Sequence, residues 1–494
     1  MARNEGDDTL LDRIGVAVAR RRGNRTMSGD VTGTFDARER VLVIGLGRSG
    51  IASCAVLRAR GATVFATDEK PVEQLEPTIV ELARSGVRFV PPAALDAVLP
   101  ELTSAIVSPG VPLNTDLVRR VQAARVSVYS EIEVAYRISK APMVAITGTK
   151  GKTTTTALVG ALFERAGKTT RVGGNIGNAL INETFVAAAT DWVIAEVSSF
   201  QLESIRSFKP RISAILNLSP DHLDRYHSMD EYGEAKFRIF ANQGPGDTFV
   251  GNLDDPIVGG LAEGDFAKRI PARALWFGFA PRRMTAVYVR GDRITYAPPT
   301  GDPRPVDIMP LSEIPLLGKH NASNVLGALT IGLAAGLDPE ALRAGVREFV
   351  ALPHRLQSVA ERDGVTYVDD SKSTNPGSVV AALEAFAQPI VLIAGGKSKR
   401  TDFRAMGAAI EKRTKAIVLI GEAAGEIAAA IGARQAVRAA SMDEAVAAAR
   451  ELATAGDVVL LSPGCASFDM FASADARGDA FARAAQGLAA THGR

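Results

Sequence analysis

Residues 143–156, MVAITGTKGKTTTT, restrict this chain more than any other stretch: an apolar, β-branched run breaks into a glycine-bearing turn and then into Gly-Lys-Thr-Thr. A strand ending in such a turn can wrap backbone N–H groups around phosphate oxygens, and a helix starting there adds the positive end of its dipole. Lys152 would supply a point charge and Thr153 a hydroxyl for Mg²⁺. The arrangement demands a buried strand before the loop and a helix after it, so this part of the chain is α/β and handles ATP. The spacing departs from the general phosphate-loop pattern, which wants glycine where Ile146 stands; Gly148 takes that place. A surface loop that merely carries lysines is the alternative.

At 494 residues the chain is too long for one ordinary domain, and about three are expected. Its 46% hydrophobic content and 46 glycines suit an α/β protein with many strand-to-helix turns. A formal charge of +2 leaves no nucleic-acid footprint. Cys54 and Cys465 are far apart in sequence, which argues no disulfide framework and fits a reducing compartment. The longest weakly polar run, residues 325–337, falls short of a membrane span and reads as a buried helix. With no signal peptide visible, the expectation is a cytoplasmic protein without membrane insertion. Residues 1–38 mix acids, glycines and the basic cluster Arg20, Arg21, Arg22 and Arg25, which predicts a disordered extension, and Met27 is an alternative start.

Three modules follow. In the first, residues 39–129, RVLVIGLGRSG at 40–50 is a strand, a Gly45-x-Gly47-x-x-Gly50 turn and a helix, and a second strand delivers Asp68 to its end. This is the layout of a dinucleotide fingerprint, in which the helix start takes a pyrophosphate and the acid a ribose hydroxyl. A sugar nucleotide would offer the same anion, and the five histidines do not supply an obvious hydride-transfer site. Ser108, Pro109 and Gly110 form a further strand-end turn. The second module, residues 130–350, carries the phosphate loop, with Glu196, Asp221, His222 and Asp224 at the ends of later strands, positioned to ligate Mg²⁺. Glu196 could equally be a salt-bridged acid and His222 a turn cap. Lys236, between apolar neighbours on a helical pattern, reads by itself as a snorkelling lysine. GKHNASN at 318–324 precedes an apolar helix and either reads a base or caps that helix. The third module, residues 351–494, alternates strands and alanine-rich helices, which argues a parallel sheet with Asp370, Lys372, Lys399, Ser467 and Phe468 at strand ends.

Taken in order, TGTKGKTTT, GGNIG, EVSSFQL, NLSPDHLDRY, YGEAKFRI, HNASN, PHR, DDSKSTNPG and SPGCASFD resemble the Mur ligase family along nearly the whole chain after the extension. The D-S-K-S-T-N stretch is most similar to the branch that joins D-glutamate to UDP-N-acetylmuramoyl-L-alanine. The resemblance implies an α/β protein of three domains: an N-terminal Rossmann-like UDP-binding domain, a central P-loop ATPase-like domain and a C-terminal Rossmann-like domain that brings the amino acid. It also implies a cytoplasmic monomer in peptidoglycan precursor synthesis. The alanine carboxylate would take the γ-phosphoryl of ATP, and amine attack on the acyl phosphate would release phosphate and ADP.

Residue by residue, the resemblance implies that Gly148, Thr149, Lys150, Gly151, Lys152, Thr153 and Thr154 hold the ATP phosphates. Asn321, Asn324 and His354 would flank the adenine, Arg355 would reach the γ-phosphate and Asp370 the ribose. Gly47, Arg48, Ser49, Asp68, Ser108, Pro109, Gly110 and Asn175 would hold the UDP-sugar. Lys372, Thr374, Lys399, Ser467 and Phe468 would hold D-glutamate. Thr153, Glu196, His222 and Lys236, the last as a carbamate formed with CO₂, would hold two Mg²⁺ ions, and Lys152, His222, Lys236 and Arg355 would be catalytic. Closure of the modules would make Arg355 and Lys372 matter for turnover more than for UDP-sugar binding. Where the family often has phenylalanine past C-A-S, this chain has Ala474, so Phe468 or Phe471 is expected to fill that space. Competing expectations are a sister ligase that adds another amino acid, or adds glutamate to a different carboxylate such as folate in the manner of folylpolyglutamate synthase, an NAD-dependent dehydrogenase, and a nucleotide-switched binding protein without catalysis.

Overall fold

The computed structural model describes residues 35–222, 225–297, 304–398, 402–432 and 436–488. The helix-like patch at 10–18 and the basic cluster lie outside them. Phe35 is buried and packs edge-on against Tyr129, so the folded chain reaches back past the expected boundary at residue 38. The described residues divide into two compact units, 35–309 with 326–345, and 310–325 with 346–488.

The first unit opens with a five-stranded parallel sheet of order β3-β2-β1-β4-β5, made of β1 (Arg40–Ile44), β2 (Thr63–Thr67), β3 (Arg88–Phe89), β4 (Ser104–Val107) and β5 (Ser127–Ser130). Helix α1 (Arg48–Ala59) follows β1 through the glycine turn. The order reverses beside β1, where a parallel α/β sheet opens a crevice at its strand ends. After α2 (Glu131–Ile138) comes a nine-stranded sheet whose parallel centre is β6 (Met143–Thr147), β7 (Thr170–Gly174), β8 (Trp192–Glu196) and β9 (Ile212–Ile215), in the order β9-β6-β8-β7. Strand β10 (Thr248–Asn252), β11 (Arg273–Phe277), β12 (Thr285–Arg290), β13 (Arg293–Tyr296) and β14 (Val306–Pro310) extend it on the β9 side. Every residue of β6 is buried, as its β-branched run predicts. One apolar cluster runs from Val41 and Val56 through Ile132 and Ile181 to Phe208 and Trp276, so both sheets share a core. Each fully buried Val, Leu or Ile adds about 1.5–3 kcal/mol to such a core.

Helix α3 (Lys152–Arg165) leaves the phosphate loop, α4 (Leu180–Val186) follows β7, and α5 (Met229–Phe237) carries Lys236. The expected apolar helix is α6 (Lys319–Ala334), which begins earlier than the sequence suggested. Asn321 and Asn324 therefore lie inside its first turns rather than ahead of it; Asn321 Nδ2 bonds Leu317 O at 2.8 Å and Asn324 Nδ2 bonds Asn321 Oδ1 at 3.1 Å.

The second unit holds a six-stranded sheet of order β15-β16-β20-β17-β18-β19. Its strands are β15 (Gln357–Arg362), β16 (Val365–Asp369), β17 (Ile390–Gly395), β18 (Thr414–Ile420), β19 (Val437–Arg438) and β20 (Val458–Gly464). The parallel expectation holds except at one edge: β15 pairs antiparallel with β16 through a tight turn at Asp363-Gly364, both with positive φ. That Asp-Gly pair is a hairpin signal in the sequence. The chain's last described helix, α7 (Ala474–Gly487), contacts β15 and β16. Among the described residues no helix is long and apolar enough to cross a membrane.

Candidate active site

At the first sheet, Gly45 (φ 90°) lets the chain turn from β1, and a Cβ at Gly50 would sit 1.9 Å from Gly45 O, so only glycine permits α1 to start so close to the strand. Ser108 Oγ donates to Gly45 O at 2.7 Å, and Asp68 accepts Leu46 N–H at 2.6 Å and Lys70 N–H at 2.9 Å. Asp68 thus fixes the glycine loop in addition to facing the crevice. The crevice is a cavity of about 560 Å³ whose lining includes Gly47, Arg48, Ser49, Asp68, Ser108, Pro109, Gly110 and Asn175, all the residues expected at the UDP-sugar. Lys70 and Gln201 join them without having been singled out from the sequence.

Asn175 comes from the loop after β7. Its Nδ2 donates to Glu196 Oε1 at 2.8 Å. Gly174 has φ 109°, and a Cβ there would lie 2.3 Å from Glu196 O, so the GGNIG glycines allow this loop to lie against the end of β8. Glu196 is 1% exposed, and its Oε2 has no hydrogen-bond partner. A buried carboxylate oxygen without a donor is costly unless a cation or donor arrives with the ligand.

The phosphate loop lies at the end of β6. Gly148 (φ 156°) and Gly151 (φ 77°) make the turn, and α3 starts at Lys152 with no side-chain cap on its first N–H groups. Asn217 holds the loop by donating Nδ2 to Lys150 O (3.0 Å) and accepting Lys150 N–H (2.8 Å). Thr149 Oγ1 accepts Ser219 N–H at 3.1 Å and lies 3.2 Å from Tyr232 Oη. Lys152 Nζ folds onto Gly148 O (3.0 Å) and Thr149 O (2.9 Å). Thr153 and Thr154 continue the first turn of α3, half-buried and buried respectively.

Lys236 does not snorkel. It is 2% exposed, and its Nζ bonds the same Gly148 O at 3.0 Å and Thr147 Oγ1 at 3.3 Å. The sequence pattern misled because Lys236 lies on the buried side of α5 with Tyr232, Ala235 and Phe237, against the phosphate loop, while Asp230, Glu231 and Glu234 take the exposed side. Burial, and then the Lys152 charge, pull the Lys236 amine down to about 7. The Tyr232 ring lies 4.8 Å from that amine and 6.4 Å from the His222 ring, so one aromatic group touches both expected metal-site residues. His222 has φ 56°, packs against Phe200 at 4.8 Å, lies 3.7 Å from Asp221 Oδ2 through Nε2 and is about half exposed. Leu223 and Asp224 lie outside the described residues. Among the described residues no cluster of three His, Cys, Asp or Glu side chains forms a ready metal site. The free Glu196 oxygen fits a cation; an ammonium at Lys236 does not, whereas a neutral or acylated Lys236 does.

In the second unit His354 (φ 62°) bonds Asp369 Oδ2 through Nδ1 at 2.7 Å. Arg355 follows it, half-buried. Asp370 accepts Ser373 Oγ at 2.5 Å and Ser462 Oγ at 2.8 Å, and burial raises its carboxyl to about 7. Lys372 Nζ is paired to Asp475 Oδ2 at 2.7 Å. Thr374 is half-buried, and Ser467 is buried at the turn after β20. Of the two phenylalanines expected near Ala474, Phe468 is 70% exposed and Phe471 packs against the core. Lys399 lies outside the described residues. Sequence reasoning passed over Asn217 and Tyr232, though one lies in NLSPDH and the other precedes Lys236 by one helical turn; Asp475 and Arg477 carried no signal at all.

Three domain families match the chain in succession: the N-terminal domain of MurD-like Mur ligases at 39–130, the Mur ligase middle domain at 146–332 and the Mur ligase glutamate ligase domain at 354–465. The chain is 43% identical over 90% of its length to a UDP-N-acetylmuramoylalanine–D-glutamate ligase of Pelotomaculum thermopropionicum, covering 96% of that protein. A protein of the same name from Myxococcus xanthus is 41% identical, with 91% and 98% covered. Among solved structures, the UDP-N-acetylmuramate–alanine ligase MurC of Thermotoga maritima has the same fold, with TM-score 0.55 at 18% identity over 91% of this chain and 99% of that one. With a phosphate loop at the end of a central strand of the nine-stranded sheet, the three domain families matched in order and relatives matched over nearly the full length, this chain is a member of the Mur ligase family.

Proposed function

We propose that this chain joins D-glutamate to the terminal carboxylate of UDP-N-acetylmuramoyl-L-alanine with conversion of ATP to ADP and phosphate, a step in peptidoglycan precursor synthesis. The observation that carries the reaction class is Asn175, which lines the crevice of the first sheet and donates to Glu196 beside the phosphate loop. A UDP-sugar in that crevice would have its acyl end next to the γ-phosphate. The names of the relatives support D-glutamate as the amino acid.

The alanine carboxylate is a weak electrophile, so it first attacks the γ-phosphorus and releases ADP. The amine of D-glutamate then attacks the acyl carbon, and the C–O bond breaks with loss of phosphate. Both steps bring anions together, so the protein contributes positioning and charge. Gly148, Thr149, Lys150, Gly151 and Thr154 surround the phosphates, and Lys152 exchanges its loop carbonyls for phosphate oxygens. Arg355 reaches the γ-phosphate, Asn321, Asn324 and His354 flank the adenine, and Asp370 holds the ribose. Gly47, Arg48, Ser49, Ser108, Pro109 and Gly110 take the UDP pyrophosphate, with Asp68 toward the uridine. Lys372, Thr374, Lys399, Ser467 and Phe468 hold the amino acid; Lys372 must exchange its Asp475 partner for a substrate carboxylate.

Mg²⁺, two ions by family analogy, would neutralise the phosphates, held by Thr153, Glu196, His222 and Lys236. A Lys236 amine drawn down to about 7 is a nucleophile at neutral pH and can add CO₂ with loss of a proton, replacing a cation with a carboxylate. The test is phosphate release from ATP with UDP-N-acetylmuramoyl-L-alanine and a panel of D- and L-amino acids, with and without bicarbonate. The expected outcome is turnover with D-glutamate alone, raised by bicarbonate. Turnover with another amino acid would move the chain to a sister ligase, and turnover indifferent to any acceptor would contradict a ligase.

A further inference from the structure

Arg477 is fully buried in α7, and among the described residues it forms no ion pair. Its guanidinium is satisfied by neutral groups instead. Nε donates to Ser371 Oγ at 2.9 Å and Nη2 to Ser371 O at 2.8 Å, while Nη1 reaches Cys465 O at 3.1 Å and Ala466 O at 3.3 Å. Ser371 Oγ in turn donates to Ala474 O at 2.7 Å, closing a ring back to the helix that bears the arginine.

These partners end β16 and β20, and a third loop joins them. Ala466 exchanges two backbone hydrogen bonds with Lys397, at 2.8 and 3.2 Å, in the turn after β17. A Cβ on Gly396 would lie 3.1 Å from Arg477 Nη1 and 2.3 Å from Ala466 O, so glycine is what lets that turn close on the pair. The next residue of α7, Gly478, does the same for the His354 turn: a Cβ there would meet His354 Nδ1 at 2.1 Å. Ser371 immediately precedes Lys372, and Ala466 immediately precedes Ser467. Arg477 therefore grips the residue before two of the groups assigned above to the amino acid.

A buried guanidinium with no carboxylate in direct contact is expensive: burial pulls this one down to about 10, and the more distant charges of Asp469 and Asp369 offset that only in part. Its cost is understandable where an anion completes the site. We propose that Arg477 is a positioning residue for the amino-acid substrate: it locks the ends of β16 and β20 into one rigid cradle, and its charge, which no carboxylate meets directly, favours an amino acid with two carboxylates. A planar fork with donors on three nitrogens is needed to span both loops, and a lysine ammonium cannot do so.

This inference rests on the ligase reading, and its test separates the two. Initial rates are measured for wild type, R477K and S371A with each substrate varied in turn, alongside thermal unfolding. In parallel, hydroxylamine replaces the amino acid to trap the acyl phosphate as a hydroxamate. The expected result for R477K is a KM for D-glutamate raised roughly 10- to 100-fold, with KM for ATP and UDP-sugar within about 2-fold and hydroxamate formation retained. S371A should move the same KM in the same direction by less. Folded R477K with an unchanged KM for D-glutamate, or an equal rise in all three KM values, would overturn the proposal. If R477K does not fold, S371A decides by the same criterion. A wild-type chain that uses no amino acid would instead refute the ligase reading beneath it.

Discussion

Two glycine loops in the first unit do similar local work with opposite electrostatics. Each follows a buried parallel strand, each starts a helix from a glycine with no side-chain cap, and neither helix has an acid in its first turn. Helices starting after Ser228, Asp255 and Ser441 are capped by those side chains. Leaving N–H groups uncapped makes sense where a phosphate will take them. The loop after β1 is braced by a carboxylate, Asp68, on Leu46 N–H. The loop after β6 is braced by two lysines sharing Gly148 O. A loop braced by a carboxylate suits holding a diphosphate that does not react; one crowded by cations suits a triphosphate whose charge must be neutralised as it transfers.

The comparison is broken most directly at Lys152. Lys152→Ala should lower turnover about 100- to 1,000-fold, because its charge is aimed at the transferring group; a loss of under tenfold in a phosphate-release assay would make the loop a passive clamp like the first. Lys236→Met should lower turnover at least about 100-fold and yet stabilise the protein in CO₂-free buffer. The sign follows from the depressed amine: between about 7 and the ordinary lysine value of 10.5 the unfolded chain binds the proton and the folded one does not. Wild-type stability therefore rises with pH across that window. The variant's advantage should be greatest at pH 7 and below and vanish above 10.5, as read by denaturant unfolding.

At the first loop, Gly50→Ala should raise the KM for the UDP-sugar roughly 10- to 100-fold while sparing that for ATP, since the new Cβ would displace the α1 start from Gly45 O. Asp68→Asn should be mildest, about 3- to 10-fold on the same KM, because the amide oxygen can still accept Leu46 N–H without charge. An effect of Asp68→Asn on turnover as large as that of Lys152→Ala would erase the distinction between the loops.

What the sequence showed of this molecule follows the same division. Both glycine loops were legible because local chemistry dictates them: the turns at Gly45 and Gly148 need glycine, and the strands before them need β-branched residues. The burial of Lys236 was not, since an isolated helical pattern cannot show that α5 packs against the phosphate loop. The antiparallel β15–β16 edge was missed although Asp363-Gly364 announces a hairpin. Asn321 and Asn324 were set ahead of α6 because boundaries depend on hydrogen bonds such as that to Leu317 O. The cradle around Arg477 was invisible because Ser371 is 106 residues away in sequence and the nearer partners, Cys465 and Ala466, offer only backbone carbonyls.

The most direct measurement of the central claim follows one oxygen atom. UDP-N-acetylmuramoyl-L-alanine labelled with ¹⁸O in its carboxylate is turned over with ATP and D-glutamate, and the released phosphate is weighed. Acyl-phosphate chemistry predicts one labelled oxygen in every phosphate released, because the carboxylate oxygen that attacked the γ-phosphorus leaves with it. Unlabelled phosphate alongside amide product would contradict the account.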